Sequence, residues 1–214
     1  AVLGNVLVVF PVVLLLSVGI GLLLGHPMLS AKDAAYTLHS LSLLGPTLLF
    51  AGFTGCLLFA SSIIAGWVEN WFVLRRLDSA MRYNPRITGI LGVERAGRWA
   101  HFMRNNISGF ASNISLGFML GLIPPIMAFF SLPLEVRHVT LSAGQLAAAS
   151  VAYGVQTVFM PAFWWAVAAI PLIGALNLGV SFYLAYKLAL RAHNVSGVQR
   201  AHIHQAIWAR WRHR

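Results

Sequence analysis

Four stretches of this chain stay apolar for longer than an element of a soluble domain needs: residues 2–24, 46–74, 110–132 and 159–190. A helix rises 1.5 Å per residue, so about 20 such residues cross a hydrocarbon core of about 30 Å. No water in that core satisfies backbone N–H and C=O groups, and each run must therefore close its hydrogen bonds internally, as a helix. Only 9% of the 214 residues are charged, against about 25% in soluble domains. The reading is an all-α polytopic integral membrane protein with about four transmembrane helices and short amphipathic helices, its membrane domain spanning residues 1–190. The second and fourth runs exceed one span and are expected to tilt or to continue out of the bilayer.

The cations say which side is which. Of the fifteen Lys and Arg, thirteen fall in two places. The connection 75–109 carries Arg75, Arg76, Arg82, Arg86, Arg95, Arg98 and Arg104; the end of the chain carries Lys187, Arg191, Arg200, Arg210, Arg212 and Arg214, most of them in the tail 191–214. Lys and Arg are retained on the cytoplasmic side, which places both segments and the amino end there, in a bacterial inner membrane. The net charge of +10 also fits nucleic acid, but the positive-inside bias accounts for most of it. Apolar sequence begins directly at Ala1, without a basic n-region or a small-residue cleavage site, and suggests a segment of a longer chain. The single cysteine, Cys56, lies in an apolar run and is expected to be an inert thiol.

Finer organisation is visible in the connections. Ser30 followed by Asp33 is a capping pattern that starts a helix running through Leu41, and the Ala-rich stretch Ser142 to Tyr153 is helical too. In the basic connection Val93, Ala96, Ala100 and Met103 recur at helical spacing opposite Arg95, Arg98 and Arg104, as in a helix lying on the inner leaflet. The tail repeats this with Ile203, Ile207 and Trp211 against Arg200, His204 and Arg214. Pro11, Leu29-Ser30-Ala31, Pro46 and Arg76 recur as Pro124, Leu141-Ser142-Ala143, Pro161 and Arg191 at offsets of 112–115 residues. That pattern fits a parallel duplication of a two-span hairpin.

Inside the spans, small and polar residues share helix faces: Gly55, Ser62, Gly66 and Glu69; Asn113, Gly117 and Gly121; Gly174, Asn177 and Ser181. Such faces let helices approach closely and hydrogen-bond, or they line a pathway. The polar intramembrane candidates are Glu69, Asn70, Asn113, Asn177 and Ser181. Glu69 is the sharpest, as an ionisable group in a span is usually paired or functional, and Arg75 and Arg76 are its expected partners. Trp67 and Trp71 flank it as an aromatic belt. Pro124-Pro125 is expected to kink or break the third helix. Glu135, Arg137 and His138 cluster in the third connection, too few ligands for a metal. Neither a cofactor, a metal site nor a catalytic residue is nominated, since Walker A, G-x-G-x-x-G after a strand, H-E-x-x-H and G-x-S-x-G patterns are missing.

Three stretches, IAGWVENWFVLRR (Ile64–Arg76), NISGFASNISLGF (Asn106–Phe118) and LPLEVRHVTLS (Leu132–Ser142), resemble a bacterial family described as site-specific recombinases. The resemblance runs over nearly the whole chain and implies the carboxy-terminal membrane portion of that family. It also implies recombination of DNA. A tyrosine-type enzyme would need Arg and His around a phosphate with a Tyr nucleophile; His101 and Arg104 are the nearest match, with Tyr183 and Tyr186 inside the fourth span. A serine-type enzyme would use Ser79 near Arg75, Arg76 and Arg82, on an α/β fold whose strand pattern is missing. The residues themselves favour a membrane module that anchors or couples an upstream cytoplasmic region. Its expected partners are anionic lipid head groups, contacted by Arg75, Arg76, Arg95, Arg98 and Arg104, and other membrane subunits or a second copy, rather than nucleic acid. The alternatives are a transporter or channel with a midplane polar site, and DNA recombination itself.

Overall fold

A computed structural model describes residues 2–192, and every regular element among them is helical. Four helices are long and apolar enough to cross a membrane: α1 (Val2–Leu24), α3 (Thr47–Leu74), α6 (Val93–Phe129) and α8 (Pro161–Ala192). Between α1 and α3 lies the short α2 (Ala31–Ser40), and between α6 and α8 lie α7 (Val139–Tyr153) and a 3₁₀ turn, Gly154–Phe159. Two helices of about two turns each, α4 (Leu77–Tyr83) and α5 (Pro85–Leu91), occupy the arginine-rich connection.

Local chemistry explains the boundaries. Ser30 caps α2, its Oγ accepting the Asp33 N–H at 3.2 Å and donating to the Asp33 carboxylate at 2.7 Å, the expected exchange at a helix N-terminus. The turn from α2 into α3 is locked by Thr47, whose buried hydroxyl reaches the carbonyls of Ser40 and Ser42. Thr157 repeats the device between α7 and α8, bonding Ser150 and Gly154. Arg76, at φ 48°, turns the chain from α3 into α4.

The helices pack as two unequal groups sharing α3 and α8. At one end α2, α7 and the first half of α8 enclose a core of Ala34, Leu38, Leu41, Leu146, Ala149, Phe163, Ala166 and Ile173, with Phe10 of α1 packed against it. Gly144 lets α7 lie against Val9 and Val13 of α1. Toward the arginine-rich end α3 packs against α6 and α4 lies on α6. Where α3 and α8 meet, Gly55 has no room for a side chain: a Cβ there would sit 2.8 Å from Val180 Cβ and 3.0 Å from the Leu176 carbonyl oxygen. Leu7, Leu15, Leu22, Leu49, Phe118 and Phe182 all face outward, an apolar exterior that suits lipid and not water.

Three features differ from the sequence expectation. The segment with Arg95, Arg98 and Arg104 is not a separate surface helix; it is the first part of α6, continuous with the third span over 37 residues. Nothing between Met103 and Phe110 interrupts the helix strongly enough, a lone Gly109 costing only about 1 kcal/mol. Of the expected kink or break at Pro124-Pro125 the break does not occur, for α6 runs four residues beyond Pro125 to Phe129. Glu69 forms no ion pair with Arg75 or Arg76 among the described residues. Six positions along a helix put Arg75 on a different face, and Arg76 already belongs to the turn. The basic helix expected around Ile203 to Arg214 lies outside the described residues.

Candidate functional site

The connection from α6 to α7 is the least ordinary backbone in the fold. Residues 132–138 form no regular element and are drawn into the bundle instead of passing over its end. The Arg137 N–H donates to Thr54 Oγ1 at 2.8 Å, and Asn177 Nδ2 donates to the Arg137 carbonyl at 2.9 Å. The same Nδ2 reaches the Ala51 carbonyl at 2.9 Å, while Asn177 Oδ1 accepts the Val139 N–H at 3.0 Å. Asn177 is 1% exposed and Thr54 fully buried. Thr54 is seven residues into α3 and Asn177 sixteen into α8, so the node sits about 10 Å and about 24 Å along those helices from their starts. Irregular backbone at such depth is tolerated where protein groups satisfy it, and these two side chains do so.

The Arg137 side chain is buried beside this node. Its Nη2 donates to the Ser40 carbonyl and to the Glu135 carboxylate in a short contact, while Nε has no acceptor. Glu135 also accepts the Tyr36 hydroxyl at 2.6 Å. That hydrogen bond is the main reason the Tyr36 phenol is held above its ordinary 10.0, with burial adding to it. The network ties α2 to the inserted segment. Next to it, His138 is half-buried, and burial alone pushes its imidazole below 6.5. A cleft of about 550 Å³ opens on the other side of the segment, lined by Leu120, Pro124, Leu132, Glu135, Arg137 and Gln145 among others. A second cleft of about 640 Å³, walled by Phe10, Leu146, Ile170 and Gly174, is wholly apolar and lies between α1, α7 and α8.

The arginine-rich end holds the other polar cluster. Arg104 on α6 donates through Nη1 to Asp78 on α4 at 2.8 Å, tying the two helices together. The Asp78 carboxyl lies below its usual range, chiefly because it accepts the Ser79 backbone N–H and then the Arg104 guanidinium. Ser79, Arg82, Tyr83, His101 and Arg104 line one notch there. Arg75, Arg76, Arg95 and Arg98 are all exposed around it.

The structure thus brings Glu135, Arg137 and Asn177 together and disperses the rest. Glu69, Asn70 and Asn113 lie on exposed faces, and Ser181 is half-buried on α8. Gly117 and Gly121 beside Asn113 have nothing within 4 Å, while Gly55 is the small residue that permits close approach. Sequence reasoning missed Thr54, Tyr36 and Ser40, since a Thr in an apolar run carries no local signal of a partner 83 residues away. It also missed Arg82 and Tyr83 as neighbours of His101. An i to i+3 pairing of Ser79 and Arg82 on a short helix was the available hint.

Long apolar helices, an outward apolar surface and a buried polar staple define the class: a helical, polytopic membrane protein. Within it, the chain belongs to the family described as site-specific recombinase, whose family model matches residues 1–214. No curated protein and no solved structure matches it.

Proposed function

We propose that this chain is a membrane-embedded helical module of a bacterial inner membrane, with both ends and the arginine-rich connection on the cytoplasmic side. In this reading it anchors or couples a cytoplasmic region carried upstream in the same polypeptide, and its partners are anionic lipid head groups and other membrane subunits or a second copy. The observation that carries it is the Thr54–Arg137–Asn177 node. Thr54 and Asn177, buried on α3 and α8, are spent on satisfying the inserted backbone, in contact with protein. A transport reading needs Glu69, Asn113 and Asn177 around one cavity, whereas Asn177 is enclosed and the other two face outward. A DNA reading takes the family description at face value. Its support is the exposed arginines of α4–α6, and they serve lipid phosphate equally well.

The test is topology in living cells. With Cys56→Ser as background, a Met28→Cys variant should react with a membrane-impermeant maleimide from outside, and an Arg86→Cys variant only after permeabilisation. Labelling in the reverse order, or extraction of the protein from membranes by alkaline carbonate, refutes the reading.

A further inference from the structure

Among the exposed arginines at the basic end, Arg82 is the one that lines a notch beside Arg104. Its guanidinium makes no hydrogen bond or ion pair among the described residues and lies only over its neighbour's ring, 5.5 Å from the Tyr83 centroid. Arg82 is exposed, but its Nε passes 3.7 Å from where a Cβ of Gly97 would stand, so part of the side chain lies against α6. There it faces a notch of about 200 Å³ shared with Asp78, Ser79, Tyr83, His101 and Arg104.

Several hydrogen-bond donors in that notch are unused. Arg104 commits Nη1 to Asp78 and keeps other N–H groups. The Ser79 hydroxyl has no partner. The Asn105 amide nitrogen lies 3.0 Å from His101 Nε2; with that amide donating, the neutral ring carries its proton on Nδ1, one more donor. The one acid, Asp78, is already answered by Arg104, so Arg82 leaves an uncompensated positive charge. Converging N–H and O–H donors around a net cation fit a tetrahedral oxyanion.

The surroundings select its source. The notch shares Arg82, Gly97 and His101 with a wider cleft of about 770 Å³ that includes Val93 and Phe102 and a pair of opposite charges, Glu94 and Arg98. Around it Ile90 is 83% and Val93 70% exposed, and Trp99 stacks on Phe102 at the surface, a composition that belongs at a bilayer interface. We propose that Ser79, Arg82, His101 and Arg104 form a specific site for the phosphate of an anionic glycerophospholipid, whose glycerol and acyl portions run past Val93 and Phe102. This deepens the membrane reading above and rests on it.

The test titrates fluorescent short-chain phosphatidylglycerol into the protein in neutral detergent, at a salt concentration where the screening length is below about 5 Å, so that diffuse attraction is suppressed. Arg82→Ala is expected to weaken binding about tenfold or more, and Ser79→Ala about threefold, as charge-assisted and neutral hydrogen bonds imply. Arg86→Ala, which removes an equal charge from α5 outside the notch, should change it less than about twofold. Equal losses in Arg82→Ala and Arg86→Ala overturn the site while leaving the membrane reading intact. Inorganic phosphate that binds with the same dependence on Arg82 and displaces the lipid overturns the lipid assignment, as does duplex DNA that does so more tightly. Failure of the membrane reading itself would instead show in the maleimide labelling.

Discussion

Replacing Asn177 with Ala tests the architecture at its most loaded point. The amide serves three backbone groups: it accepts from Val139 at 3.0 Å and donates to Ala51 and Arg137 at 2.9 Å each. Removing it leaves the Val139 N–H, at the buried first turn of α7, with no acceptor, which costs about 1–3 kcal/mol. Interhelical bonds in membrane proteins average nearer ~0.6 kcal/mol, so the two lost donor contacts add about 1 kcal/mol more. The total, about 2–4 kcal/mol, should lower the thermal midpoint by roughly 5–15 °C at about 2–4 °C per kcal/mol for a chain of this size. The assay is unfolding in mild detergent followed by size-exclusion retention, with hydrogen exchange at Val139 as a local readout. Asn177→Leu, which restores bulk but not the amide, should be no better. Asn113→Ala, on an outward face, should be near neutral. A midpoint for Asn177→Ala within about 2 °C of the parent, with Val139 still protected, refutes the claim that this side chain holds the inserted segment in place.

Two further outcomes follow from the same packing. Gly55→Ala places a methyl 2.8 Å from Val180 Cβ and 3.0 Å from a backbone oxygen, so α3 and α8 must separate, at about 1–3 kcal/mol. Gly66→Ala, with nothing within 4 Å, should be neutral or slightly stabilising in the same thermal assay. His138 makes stability depend on pH: its folded value lies below the ordinary 6.5 because burial disfavours the cation. Stability should be full above the unfolded value and fall as pH drops, because the unfolded chain takes up a proton that the folded one refuses, levelling once the folded His138 protonates. His138→Gln should flatten that part of the profile, and an unchanged profile would assign the effect elsewhere.

The apolar runs at 2–24, 46–74 and 159–190 foretold α1, α3 and α8 almost to the residue, because membrane length and internal hydrogen bonding leave a helix few options. Ser30 foretold α2 for a similarly local reason. What remained hidden was every long-range polar contact. The bonds of the Thr54–Arg137–Asn177 node join residues 38 to 126 positions apart, and no periodicity encodes that. Asn177 was legible as a polar residue on a helix face, yet its partner, an irregular backbone segment, could not be read from a connection that looked like surface. The continuity of α6 was missed for a different reason. A change of composition at about Phe110, from basic to apolar, marks a change of solvent, and a helix can run through it unbroken.

The duplicated order and the contacts diverge in an informative way. Each half runs long helix, short helix, long helix, and each short-to-long turn is locked by a Thr hydroxyl on a Ser carbonyl seven residues earlier. A two-fold relation would have α1 meet α8 as α6 meets α3, but α1 packs chiefly on α7. The inserted segment supplies the cause. In the second half the chain between the long and short helices is pulled down to Thr54 and Asn177, which starts α7 deep beside α8 and gives it a long flank for α1 to cover. In the first half the corresponding chain, residues 25–30, makes no such descent, and α2 stays beside α7 at the far end. The asymmetry therefore hangs on the few hydrogen bonds that hold the start of α7 against α3 and α8.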